Sequence, residues 1–106
     1  MANFRLLWKT HELGEVFDLS ADQPDMWGAL LPGPDLKEPF RALFTFLADE
    51  DQMGQDPPFA DELLDDDNWW LADGKGKRWG ISLPGVNLDD CTIGFRWRGA
   101  IPEWWS

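Results

Sequence analysis

The sequence predicts an α+β fold, with an antiparallel sheet of about five to six strands and one or two helices packed on one face. Period-two alternation indicates strands in the first and last thirds of the chain, and a helical stripe lies between them. Strands interrupted by helices in this order favour an antiparallel sheet that is covered on one face. The 106 residues are 43% hydrophobic, enough for one core, so we expect a single domain over residues 1–106.

Three strands are predicted in the N-terminal third. Apolar and polar residues alternate over residues 4–9 and again over residues 15–20, a pattern typical of strands that bury one face. A short apolar run over residues 26–31 ends at Pro32-Gly33-Pro34 and indicates the third strand.

Two helices are predicted in the middle of the chain, at about residues 38–48 and 57–65. The first begins near Pro39, which suits the first turn because the N–H that proline lacks has no helical partner there. Its apolar residues have helical spacing and form one stripe: Phe40, Leu43, Phe44 and Leu47. The second helix follows the start signal Asp56-Pro57-Pro58.

Strands return in the C-terminal third. Residues 69–73 and 79–83 are predicted to pair across the turn Gly74-Lys75-Gly76, and Pro84-Gly85 is predicted to be a further turn. The most regular alternation covers residues 91–97, with Cys91, Ile93, Phe95 and Trp97 on the inward face. We therefore expect Cys91 to be a core thiol.

The formal charge of −11 is unevenly distributed along the chain. Residues 1–48 carry a net charge of −3 and residues 68–106 a net charge of +1. Residues 49–67, here called the acidic segment, hold nine acidic residues and no basic one. Such a field repels nucleic acid and anionic membranes and attracts basic surfaces. We therefore expect a basic protein partner, and no binding to nucleic acid or to membranes.

The C-terminal half of the acidic segment is the predicted partner-binding surface. Three consecutive carboxylates, residues 65–67, fall at the predicted end of the second helix, where the helix dipole disfavours negative charge. A local arrangement that costs stability is where function is expected to show. An adjacent tryptophan pair follows, and strand neighbours point to opposite faces, so one ring should face outward. The predicted partner-binding residues are Asp61, Glu62, Asp65, Asp66, Asp67, Trp69 and Trp70.

Few residues suit catalysis or metal binding. His11 is the only histidine and falls in a predicted loop, and Cys91 follows two aspartates whose charge disfavours a thiolate. The carboxylates do not have the spacing of a calcium loop, one cysteine and one histidine are too few for a zinc site, and no glycine loop has phosphate-binding spacing. We therefore predict no catalytic residue, no metal site and no cofactor.

These patterns favour a non-enzymatic interaction protein, such as an inhibitor or immunity-type protein that binds a basic enzyme, for example a nuclease. One alternative is a homodimeric scaffold that uses the exposed tryptophan pairs Trp69-Trp70 and Trp104-Trp105. Another is a small carboxylate-dependent hydrolase that acts on a carbohydrate stacked on tryptophan. A single cysteine and the lack of a secretory leader pattern favour a cytoplasmic location.

Overall fold

A seven-stranded antiparallel sheet organises the computed structural model, which describes residues 4–22, 25–49, 51 and 58–99. Its strands are β1 Phe4–Trp8, β2 His11–Asp22, β3 Asp25–Pro32, β4 Trp69–Ala72, β5 Arg78–Gly80, β6 Gly85–Asn87 and β7 Thr92–Phe95. Two helices lie between β3 and β4: α1 Phe40–Ala48 and α2 Asp61–Leu64. The predicted α+β class and the antiparallel pairing are confirmed.

The strands follow the order β5-β4-β1-β2-β3-β7-β6. The three N-terminal strands form a meander, and the C-terminal strands flank it on both sides, with β4 against β1 and β7 against β3. The sheet has one strand more than the upper end of the predicted range. The additional strand is β6, which occupies Gly85–Asn87 and pairs with β7, whereas Pro84-Gly85 was predicted to be a turn.

The two sides of the sheet meet beyond β5 and β7. Ile81 forms an isolated bridge with Trp97, the Ser82 amide donates to the Arg96 carbonyl at 2.9 Å, and the Arg98 amide donates to the Gly80 carbonyl at 3.0 Å. The sheet therefore closes on itself at this end through residues 80–82 and 96–98. Strand β6 pairs with β7 but takes no part in this closure. A register shift between Phe17 and Ser20 in β2 is the kind of irregularity that bends a strand and helps a sheet to curl.

The core lies inside the curled sheet and is covered by α1. The side chains that are fully buried there come from the helix and from all seven strands or their extensions; they include Leu6, Leu13, Val16, Leu30, Leu43, Phe44, Trp69, Leu71, Ile81, Val86 and Ile93. The predicted stripe of α1 is confirmed, because Phe40, Leu43 and Phe44 are buried. Pro39 lies one residue before the helix and not within its first turn. No helix in the described ranges is long and apolar enough to cross a bilayer.

The second helix is much shorter than predicted. It was expected at about 57–65, of which Pro57 lies outside the described residues, and α2 covers only Asp61–Leu64. Asp65 has an extended backbone (φ −77°, ψ 116°) that ends α2 and begins a 3₁₀ turn, Asp66–Asn68. Residues 65–67 still follow the end of α2 directly, but α2 is a single turn and Asp65 caps the N-terminus of the 3₁₀ turn, where its side chain accepts from the Asp67 amide. The helix dipole that was expected to oppose these carboxylates is therefore small.

Cys91 is not a core residue, and that prediction was wrong. It lies in the turn before β7, is exposed, and has a left-handed backbone with φ 55°. The side-chain oxygen of Asn87 accepts hydrogen bonds from the Asp89 and Asp90 amides, so the turn extends through four residues after β6. The strand predicted from the alternation over residues 91–97 therefore begins one residue later, at Thr92.

The exposed position of Cys91 predicts rapid thiol modification in the native state. An aromatic disulfide reagent at neutral pH should react with the folded protein at a rate comparable to that in urea, because no packing has to open first. The measurement is the absorbance of the released thiolate, with Cys91→Ser as the unreactive control. Labelling that appears only after unfolding would contradict the turn described here.

Candidate functional site

Five exposed carboxylates form one surface on α2 and the following 3₁₀ turn. They are Asp61, Glu62, Asp65, Asp66 and Asp67, here called the acidic surface. All the acidic residues that the sequence predicted for partner binding are exposed. They lie within seven consecutive residues that contain no basic side chain.

Three of these carboxylates also hold the local structure. Asp65 Oδ1 accepts from the Asp67 amide at 2.9 Å, and Asp66 Oδ1 accepts from the Leu83 amide at 2.7 Å. Asp67 Oδ1 lies 3.5 Å from Arg98 Nη1. The run of aspartates is therefore explained in part by capping and by contacts with Leu83 and Arg98, which follow β5 and β7 in the chain.

The acidic surface is only partly neutralised by neighbouring cations. Glu62 Oε2 pairs with Lys9 Nζ at 2.9 Å, and Asp67 has the longer contact with Arg98. Within the described residues, Asp61, Asp65 and Asp66 form no ion pair. Two cations thus face five carboxylates, and a net negative field remains at this part of the molecule.

The two tryptophans that follow the acidic surface have different surroundings. Trp69 is fully buried, its indole Nε1–H donates to the Leu63 carbonyl at 2.9 Å, and its ring packs against Phe40 and Phe44. The predicted direct contact between Trp69 and a partner is therefore corrected: the side chain supports the acidic surface from beneath. This opposite placement of neighbours is what strand geometry predicts.

Trp70 is half-buried and is already in contact with the protein's own cations. The guanidinium carbon of Arg78 lies 4.6 Å from its ring centroid, and that of Arg98 lies 4.9 Å from it. Arg98 also donates to the Trp69 carbonyl at 3.0 Å. Trp70 therefore holds two arginines against its ring, of which Arg98 also contacts Asp67, and the ring is less available to a partner than predicted.

A cleft of about 730 Å³ adjoins the acidic surface, and no pattern in the sequence indicated it. Its walls are largely apolar. They include the aromatic side chains of Trp8, His11, Phe40 and Phe59 and three charged residues, Asp35, Lys37 and Glu62. These residues come from β1, β2, α1, α2 and the two segments that precede the helices. Because they are distant in sequence, no local motif could have identified the cleft.

Hydrogen bonds join the cleft wall to the acidic surface. The Glu62 carbonyl accepts from Trp8 Nε1 at 3.1 Å and from Asn68 Nδ2 at 2.9 Å. His11, predicted to lie in a loop, is the first residue of β2 and pairs with Trp8 across a tight turn. Its ring stacks on Trp8 with centroids 5.7 Å apart and planes inclined by 18°. The turn needs a left-handed residue, Lys9 with φ 54°, which the sequence does not signal.

The cleft lacks the usual groups for nucleophilic catalysis. Among the described residues that line it there is no serine, threonine or cysteine for His11 to activate. Over the described ranges, no group of three histidine, cysteine or acidic side chains could hold a metal ion. What the cleft offers is an aromatic surface with exposed carboxylates.

The outer face of the sheet bears two exposed apolar side chains. Trp27 is 49% exposed and Leu31 58% exposed, and both lie on β3. The Trp27 ring lies over Gly94 of β7, where an added Cβ would approach Trp27 Cζ3 to 2.6 Å. Single exposed apolar residues are common on monomeric proteins and do not by themselves favour a homodimer. Trp104 and Trp105 lie outside the described residues.

Comparison with known proteins identifies no relative of the chain. No protein-family model, no curated protein and no solved structure matches the chain. Its function is therefore inferred from its own residues, above all from the acidic surface and the adjoining cleft.

Proposed function

We propose that the protein is a non-enzymatic interaction module that binds a basic protein partner through the acidic surface. The observation that carries this proposal is that five exposed carboxylates lie within seven residues and, among the described residues, form ion pairs with only two cations, Lys9 and Arg98. Unlike charges across an interface attract at long range, whereas like charges at close quarters cost stability in the free protein. A basic partner would relieve that repulsion.

The ordered backbone of the acidic surface supports the same proposal. Three hydrogen bonds hold the segment in place. Asp66 Oδ1 accepts from the Leu83 amide, and the carbonyls of Glu62 and Leu63 accept from the indole N–H groups of Trp8 and Trp69. A surface that is ordered before binding loses less conformational entropy when the complex forms. An inhibitor or immunity-type protein directed against a basic enzyme, such as a nuclease, would benefit from this combination of preorganisation and fast association.

One feature of the cleft supports the hydrolase alternative: the carboxylates of Asp35 and Glu62 line it together with Trp8. However, both carboxylates are exposed, and Glu62 pairs with Lys9. The acid of a glycoside hydrolase lies in an apolar setting that keeps it protonated. The interaction module is therefore the better-supported function.

A charge-removal experiment tests the proposal. In the surface variant, Asp61→Asn, Asp65→Asn and Asp67→Asn remove three charges while each asparagine keeps an oxygen that can accept a hydrogen bond. Asp66 is left intact because it accepts from Leu83 at 2.7 Å. We expect the free energy of unfolding to stay within about 1 kcal/mol of the wild type. The control variant, Asp18→Asn, Asp89→Asn and Asp90→Asn, removes the same charge from exposed positions elsewhere.

The partner is captured from native extract with the wild-type protein, purified, and used to measure association rates at low and high salt. For the surface variant we expect an association rate about tenfold lower and less dependent on salt, because steering by clustered charge is lost. The control variant should behave like the wild type. Equal rates and equal salt dependence for the surface variant and the wild type would refute the proposal.

A further inference from the structure

The cleft beside the acidic surface combines two kinds of group that recognise organic cations. Aromatic side chains, among them Trp8, Phe40 and Phe59, supply ring surface, and Asp35 and Glu62 supply negative charge. The Trp8 and Phe40 rings meet edge to face with centroids 5.4 Å apart, so this wall is a packed aromatic cluster. Ring faces and carboxylates each attract cations, and the two effects act together in a partly enclosed site.

The protein's own Lys9, which does not line the cleft, contacts two of the residues that do. Its ammonium nitrogen lies 4.8 Å from the Trp8 ring centroid and 2.9 Å from Glu62 Oε2. The side chain of Lys9 is 44% exposed and stands in a tight turn, so it can rotate away into solvent without disturbing the sheet. The contact shows that Trp8 and Glu62 together accept a cation.

We propose that this cleft binds one arginine side chain of the basic partner, which displaces Lys9 from Glu62. The inference rests on the proposed function, of which it names the anchoring contact. A guanidinium is favoured over an ammonium because it is planar, more weakly hydrated, stacks on aromatic rings and binds carboxylates through two parallel hydrogen bonds. A cleft of about 730 Å³ is in the size range of pockets that enclose small molecules, so an arginine and its adjoining backbone fit within it.

The other charged residues at the cleft affect how tightly it binds an arginine. Asp35 forms no ion pair with any described residue, so its carboxylate is available to the incoming guanidinium. Lys37 also lines the cleft and opposes the binding of a cation. Removing either Lys9 or Lys37 should therefore strengthen arginine binding, whereas removing the charge of Asp35 or Glu62 should weaken it.

A blocked amino acid serves as the probe for this site. The folded full-length protein is titrated with N-acetyl-arginine methylamide while the backbone and indole N–H resonances are recorded by NMR. The Trp8 indole N–H donates to the Glu62 carbonyl and reports directly on the cleft; Trp8→Phe assigns it. The matched probe is N-acetyl-citrulline methylamide, which keeps the shape and loses the charge. Dissociation constants in the millimolar range are expected for arginine, with citrulline about tenfold weaker.

Variants of single charges locate the contact. Glu62→Gln and Asp35→Asn should each weaken arginine binding severalfold, and Lys9→Gln should strengthen it severalfold, since the internal competitor is removed. Asp89→Asn, at the far turn, should have no effect. A well-dispersed spectrum for each variant shows that the fold is intact, so a weaker titration is not the result of unfolding.

The opposing outcomes are distinct from those of the partner-binding experiment. Equal shifts with arginine and citrulline, shifts outside the cleft, or no shift with either probe would overturn the arginine site. Saturable shifts of Trp8 with a neutral oligosaccharide but not with arginine would overturn it in favour of carbohydrate binding. Each of these results leaves the charge-removal kinetics unaffected, so the arginine site can fail while the acidic surface still binds the partner. Conversely, arginine binding in the cleft would persist if the acidic surface proved irrelevant.

Discussion

Replacing Trp69 with alanine is expected to lower the free energy of unfolding by about 3–5 kcal/mol, the usual cost of emptying a buried aromatic site. Trp69 is fully buried and contacts both Phe40 and Phe44 of α1, so its loss leaves a cavity between the helix and the sheet. It also leaves the Leu63 carbonyl without the indole donor. The cavity and the lost hydrogen bond both lower the free energy of unfolding.

Urea denaturation followed by far-UV circular dichroism measures this loss. The matched control is Trp27→Ala, which removes a side chain that is 49% exposed on the outer face and should cost at most about 1 kcal/mol. Similar losses for the two variants would mean that the assignment of sheet faces is wrong. Intermediate stability for Trp69→Phe, which keeps an aromatic ring but not the indole donor, would separate packing from hydrogen bonding.

Replacing Gly14 with alanine is expected to destabilise the fold by about 2–3 kcal/mol, at the upper end of the cost of overpacking. A Cβ at this position would lie 2.5 Å from the Leu31 carbonyl oxygen and 3.3 Å from the Gly33 amide nitrogen. Both atoms belong to the backbone of the neighbouring chain segment, which cannot rotate aside as a side chain can. The strain must therefore be taken up by β2 and β3 themselves.

Gly85→Ala is the matched control for this prediction. Gly85 lies on β6, and an added Cβ there would meet no atom within 4 Å. We expect this variant to be unchanged or more stable by about 0.4–1 kcal/mol, because alanine restricts the unfolded chain. The two variants are compared by their urea midpoints at equal m-values. A Gly14→Ala midpoint as high as that of Gly85→Ala would show that β2 and β3 are less closely apposed than described.

The elements that sequence patterns predicted well are those whose residues carry the signal locally. The stripe of α1 is read from spacing within nine residues, and Trp79, Ile81, Ile93 and Phe95 are buried as alternation predicts. The short strand β6 carries only Val86 as a buried side chain, and its strand conformation depends on pairing with β7. For this reason the sequence Pro84-Gly85 predicted a turn where the structure has the start of β6.

The candidate site was predictable in part. The acidic residues could be named because charge is visible in the sequence, but the reason given for them, an unfavourable helix end, loses its force because α2 is a single turn and Asp65 caps the 3₁₀ turn that follows. The roles of Trp69 and Trp70 could not be separated without knowing which face β4 buries. The cleft could not be predicted at all, since Trp8, Asp35 and Phe59 become neighbours only through the tertiary fold.

Closure of the sheet beyond β5 and β7 also bears on self-association. The open edge of a sheet offers unpaired amides and carbonyls on which another chain can add a strand, a common route to aggregation. Here the segment after β5 is bonded to residues 96–98, so that edge is occupied where the two meet. Among the described strands, β6 keeps a free edge of three residues, preceded by Pro84. In the part of the chain that the structure describes, a protein with eight tryptophans and seven phenylalanines therefore offers little unpaired strand edge on which an aggregate could nucleate.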